Sequence, residues 1–127
     1  MQSIKKSIIY TLILLQQMFN KLSTNEELDN LINNNIAAMV YFYSDKCAPC
    51  VSLRPKVLQM VEEKFPKISL AYVNSEINPA LPAKYGAFTS PTLIIFFDGK
   101  EYRRESKYIS IPQLTESIAR PYDMIFE

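Results

Sequence analysis

The sequence predicts an α/β fold in which one mixed β-sheet carries helices on both faces. Three observations point there. Residues 37–43, 68–73 and 93–97 are apolar runs with almost no polar alternation, the signature of strands covered on both sides. Amphipathic helical stretches separate these runs, and alternation of that kind implies parallel pairing through right-handed crossovers. Asp98-Gly99 is a two-residue hairpin signal followed by a charged strand, which adds antiparallel partners.

The chain of 127 residues is long enough for one domain with its own core and needs no staples. Residues 1–20 read as an N-terminal extension and 21–127 as the domain. Fourteen basic and thirteen acidic residues are interspersed, with no basic block longer than Lys5-Lys6 or Arg103-Arg104, so a nucleic-acid partner is not indicated. No internal repeat or low-complexity tract is present.

Two readings fit the first twenty residues. Ile4, Ile8, Leu12, Leu15, Phe19 and Leu22 recur at helical steps, which favours an amphipathic helix docked on the domain or on a second copy, giving a monomer or a weak dimer. Lys5-Lys6 followed by Ile8 to Leu15 also has the order of a secretory signal, although no A-x-A-like cleavage site follows. That run is too short for a stable membrane span. The first reading places the protein in the cytoplasm. If residues 4–16 act as a signal, it is periplasmic or membrane-attached.

The remaining elements follow in order. After a possible short strand, Ser23 or Thr24 caps a helix with Glu26 and Glu27 in its first turn and Leu28, Leu31 and Ile32 as its apolar face; Asn33-Asn34-Asn35 ends it. Strand 37–43 then points its end at Cys47. Val51, Leu53, Val57, Leu58, Val61 and Phe65 suit a helix from Ala48 to Phe65, kinked by Pro55 and stopped by Pro66. Strand 68–73 leads to a polar turn, a short helix over 79–85 and Gly86 as a left-handed cap. Thr89-Ser90-Pro91-Thr92 opens the third strand, where a proline's missing N–H is tolerated and its peptide bond can be cis. Glu101–Glu105 is charged and suits a sheet edge. Ser110 caps a last helix through about Ala119, with Pro112 in its first turn and Leu114 and Ile118 facing inward.

The chemistry lies in Cys47-Ala48-Pro49-Cys50, which holds the only two cysteines. At the start of a helix, free N–H groups and the helix dipole stabilise a thiolate, which makes Cys47 the attacking sulfur. Cys50, one turn further in, is the more buried and more protonated resolving thiol. Rival readings are weaker. Two cysteines and no histidine fall short of a structural zinc site unless two chains share the metal. A purely structural disulfide would close too small a loop to remove much entropy. Two unrelated core cysteines rarely fall at this spacing after a strand, with a proline between them.

With these residues in view, the chain resembles the thioredoxin family from about residue 22 to 120. The resemblance rests on Cys47-Ala48-Pro49-Cys50, Pro55, the stretch from Asn78-Pro79 to Lys84-Tyr85-Gly86, Ser90-Pro91-Thr92 and Asp98-Gly99. It implies a thioredoxin-like three-layer sandwich, here with an extra N-terminal helix. It also implies that Pro91 is a cis-proline facing the disulfide, with Ser90 and Thr92 beside it where an extended substrate strand would bind.

The departures from the family are informative. Lys46 stands where thioredoxins usually have Trp, and a cation there favours the Cys47 thiolate. Ala48 replaces the usual Gly and stiffens the turn. Tyr41 matches the family's buried acid, and with an ordinary pKa of about 10 it is a poor proton acceptor. Tyr72 matches the lysine that pairs with that acid, so the charged pair is gone. Lys107 matches the glycine beside the substrate groove and should narrow or charge the docking surface.

The resulting expectation is a thiol–disulfide oxidoreductase that reduces protein disulfides, with Cys47 and Cys50 catalytic and Lys46, Ala48, Pro49, Pro91 and Tyr41 in support. Ser90, Thr92 and Lys107 would contact substrate. No organic cofactor and no metal is implied; the partners are disulfide-containing proteins and an upstream thiol reductant or reductase. Two alternatives stay open: an interaction module on the same fold, and an oxidase or isomerase in an oxidising compartment, since direction depends on redox poise.

Overall fold

A computed structural model describes residues 21–127. The helix or signal expected over residues 1–20 lies outside the described residues. The elements are α1 (Asn25–Asn34), β1 (Ala37–Tyr43), α2 (Ala48–Lys64), β2 (Ser69–Asn74), α3 (Ala80–Lys84), β3 (Thr92–Phe97), β4 (Lys100–Ser106) and α4 (Ile111–Ile125). The strands form one mixed sheet in the order β2-β1-β3-β4. The possible short strand near the start is a single parallel bridge, Lys21 to Tyr72, with the Leu22 N–H bonded to the Tyr72 carbonyl at 2.9 Å.

Alternation along β1 builds two cores. Ala37, Met39, Tyr41 and Tyr43 face one side, where Val57, Met60 and Val61 of α2 and Leu114, Ile118 and Tyr122 of α4 cover them. Ala38, Val40 and Phe42 face the other, against Leu28 and Ile32 of α1 and Leu81 of α3. Every residue of β1 is buried, as its unbroken apolar run requires. The three-layer sandwich expected from the family resemblance is what the chain builds.

The pairing of β3 corrects the simplest reading of the alternation. β1 and β2 are parallel, but β3 runs antiparallel to β1. β3 enters at the end of the sheet where β2 finishes and runs back against β1. The register pairs Phe42 with Thr92, which sets Pro91 at the end of β1 that leads to Cys47.

Two turns follow the sequence closely. Asp98 and Gly99 both have positive φ, 53° and 75°, as a two-residue hairpin turn requires. Gly86 has φ 67° after α3; its N–H bonds the Ala83 carbonyl at 3.1 Å and the Ala87 N–H bonds the Pro82 carbonyl at 2.8 Å, which closes the helix with a left-handed cap.

The last helix was expected to stop near Ala119 and instead continues through Pro121 to Ile125. Pro121 has no N–H to offer the Ser117 carbonyl one turn back. Tyr102 of β4 supplies the missing donor, its hydroxyl bonding that carbonyl at 3.0 Å. Beyond the proline, Tyr122 is buried against Phe65 and Phe126 and accepts the Lys67 N–H at 3.1 Å.

Candidate functional site

β1 delivers the chain to the site, and a short loop turns it into α2. The Cys47 N–H bonds the Ser44 carbonyl at 3.1 Å, and the Lys46 N–H bonds the Ser44 hydroxyl at 3.2 Å. Ser44 also donates to Glu76, while Asn74 donates to Asp45 at 3.2 Å. The loop before the cysteines is therefore latched to the end of β2.

Cys47 is the N-cap of α2, and its sulfur accepts the Cys50 N–H at 3.2 Å. Ala48 and Pro49 fill the first two helical positions, where a proline costs no hydrogen bond because those N–H groups have no helical acceptor. Cys47 is half-buried and Cys50 is 1% exposed. The two are joined by a disulfide with Cα atoms 5.2 Å apart. One sulfur is thus open to an incoming partner and the other sits directly behind it. Among the described residues no cluster of three or more His, Cys, Asp or Glu could hold a metal ion.

Beneath the pair lies a set of tyrosines. Tyr41 is fully buried, and its hydroxyl donates to the Cys50 carbonyl at 2.8 Å. Tyr72 stands opposite it in the β1–β2 register, with the rings edge-on at 6.2 Å. Burial raises the pKa of both phenols to about 12; Arg54 opposes that rise in each case. The Arg54 guanidinium stacks over Tyr72 at 4.4 Å and over Tyr43 at 5.0 Å. The sequence reading removed the family's interior charged pair and placed no cation here. Position alone held a clue, since Arg54 follows Cys50 by four residues on α2 and shares its face.

The third part of the site is the head of β3. The Ser90–Pro91 bond is cis, and Pro91 is buried while Ser90 is half-buried. Among the described residues nothing hydrogen-bonds the main-chain N–H or carbonyl of Ser90, so both stay available to a docked strand. Thr92 corrects its expected role. It is 2% exposed and its hydroxyl donates to the Thr89 carbonyl at 2.5 Å, so it braces the turn from inside and its side chain does not line the surface.

Lys107 donates its N–H to the Pro91 carbonyl at 3.0 Å. Its φ of 62° is in the left-handed region that glycine adopts freely. Between α2 and this segment runs a groove of about 360 Å³ lined by Pro49, Leu53, Lys56, Lys107, Tyr108 and Ser110, among others. Lys46, next to Cys47, is exposed.

Comparison with known proteins agrees with this geometry. The thioredoxin family model matches residues 19–120. A thioredoxin-like protein of Bacillus subtilis, YdfQ, is 28% identical over 95 residues, covering 75% of this chain and 84% of its own. The thioredoxin of Porphyra purpurea is 33% identical over 93 residues, covering 72% and 85%. A mutant thioredoxin from Halobacterium salinarum superposes with a TM-score of 0.72 at 27% identity, over 80% of this chain and 88% of that one. Likeness in sequence and in fold covers the stretch that builds the sheet and holds the bonded cysteines: the chain belongs to the thioredoxin family.

Proposed function

We propose that this thiol–disulfide oxidoreductase works as a reductase of protein disulfides. The observation that carries the reading is the bonded pair at the mouth of α2, with Cys47 accessible and Cys50 buried behind it. In the reduced protein the Cys47 thiolate, stabilised by the helix N-terminus, attacks one sulfur of the substrate disulfide. That bond breaks, a mixed disulfide forms, and the other substrate sulfur leaves as a thiolate and takes a proton. Cys50 then gives up its proton and attacks the Cys47 sulfur, so the second substrate thiol departs. The substrate has gained two electrons and two protons, and the protein is left as the oxidised form described above.

The supporting residues have distinct parts. Tyr41 anchors the backbone at Cys50, Ala48 and Pro49 shape the first turn, and Lys46 adds positive charge beside Cys47. Pro91 sets Ser90 where its free main-chain groups pair with an extended substrate segment. An upstream thiol reductant or reductase restores the dithiol. A reductase of this kind works where thiols are kept reduced, which favours the cytoplasm; among the described residues no helix is long and apolar enough to cross a membrane.

The test is dithiothreitol-driven reduction of insulin. Wild type should accelerate it, Cys47→Ser should fall to the uncatalysed rate, and Cys50→Ser should accumulate mixed disulfides that Cys47→Ser does not. Equal rates for wild type and Cys47→Ser would leave an interaction module as the better reading.

A further inference from the structure

The face around the disulfide carries exposed lysines with no ion pair among the described residues. Lys46 precedes Cys47, and Lys56 and Lys107 stand on opposite walls of the groove beside Pro49. No ammonium group of the three has an ion pair or hydrogen bond among the described residues. Glu105, two residues before Lys107, pairs with Arg103 at 2.6 Å, while Asp45 and Glu76, which accept from the neutral Asn74 and Ser44, keep their charge on the loop before Cys47. Two other surface cations are paired, Lys84 with Asp29 at 2.9 Å and Arg104 with Glu101 at 2.6 Å. Lys56 and Lys107 therefore place two positive charges without an ion pair among the described residues on the groove beside Pro49.

The groove has features that suit a peptide. Pro49 and Leu53 provide an apolar floor, and Tyr108, 95% exposed, stands at its rim. An aromatic ring so fully in water has apolar area to bury against a partner. Lys107 holds a left-handed backbone conformation in which a side chain is unfavourable, and backbone strain of this kind gathers at ligand-binding sites. Its N–H on the Pro91 carbonyl ties that cation to the turn beside which a substrate strand would lie.

We propose that this groove selects substrate proteins whose disulfide is flanked by acidic residues. Carboxylates of the docked segment pair with Lys56 and Lys107, and an apolar side chain rests on Pro49 and Leu53. The proposal rests on the reductase reading and names the substrate class of that same site. The lysines speed encounter with acidic partners and set like charge against basic ones.

The test uses three synthetic peptides, each closed by one disulfide, flanked by Asp and Glu, by Ser, or by Lys. Reduction by wild type is followed with dithiothreitol as the recycling thiol. We expect kcat/KM for the acidic peptide to exceed that for the basic one by about tenfold at low salt, with the gap shrinking at high salt. Lys56→Glu with Lys107→Glu should reverse the order. Lys56→Gln with Lys107→Gly, which also relieves the left-handed backbone, should abolish the preference even if the charge-reversed variant folds poorly. Equal wild-type rates on all three peptides would overturn the proposal and leave the reductase reading standing, and so would a preference untouched by either double variant. No turnover of any peptide would overturn the reductase reading and this proposal with it.

Discussion

Tyr41 sets the polar chemistry directly beneath the bonded cysteines. It occupies a buried position beneath Cys50, yet its phenol, raised to about 12 by burial, does not ionise near neutrality. Its hydroxyl instead holds the Cys50 carbonyl. Tyr41→Phe should destabilise the oxidised protein by about 1 kcal/mol in urea unfolding, the loss of one hydrogen bond. The pH dependence has a definite sign. Above pH 10 the unfolded chain releases phenolic protons that folded Tyr41 and Tyr72 retain, so unfolding is favoured as pH rises. Their contribution is complete below about pH 10 and lost on the way to pH 12. Urea midpoints across that range should fall, and less steeply in Tyr41→Phe. Lys107 gives the opposite kind of prediction. A lysine at φ 62° is strained where glycine is not, so Lys107→Gly should raise stability by up to about 1 kcal/mol, read as a higher melting temperature.

Among the elements, the strands and the hairpin were legible because each depends on its own residues. A run such as Leu93 to Phe97 is buried in nearly any sheet that accepts it, and Asp98-Gly99 needs only its own positive φ values. The end of α4 was not legible. Pro121 reads as a stop, yet the helix runs on through it to bury Tyr122, with the Tyr102 hydroxyl of β4 on the freed Ser117 carbonyl. Those last turns are an integral part of the core beside Phe65. Tyr122→Ala should cost about 3 kcal/mol by urea unfolding, far more than a frayed helix end would. The direction of β3 was hidden for a similar reason, since the link from β2 is long enough to serve either direction and only the pairing with β1 decides it.

At the level of the whole protein, stability comes from two apolar layers and the disulfide is a reactive feature added at one end. A ring closed by residues 47 and 50 removes little chain entropy, about 2 kcal/mol by loop length. Unfolding free energies of the oxidised and reduced forms, from urea titrations, should therefore differ by no more than that, and both should unfold cooperatively. A larger gap would mean that the sheet and its helices depend on the bond. A framework that stands without the bond would let the pair cycle without loss of the fold.

Residue order alone was enough for the α/β class, the central strand, the reactive pair at a helix start and the proline turn, because spacing and local conformational preference specify each of them. Three-dimensional packing decided what surrounds the sulfurs: Arg54 over the tyrosines, Thr92 turned inward, and Lys56 facing Lys107 across a groove. Each of these depends on segments far apart in the chain meeting at a particular register, and no local pattern encodes that meeting.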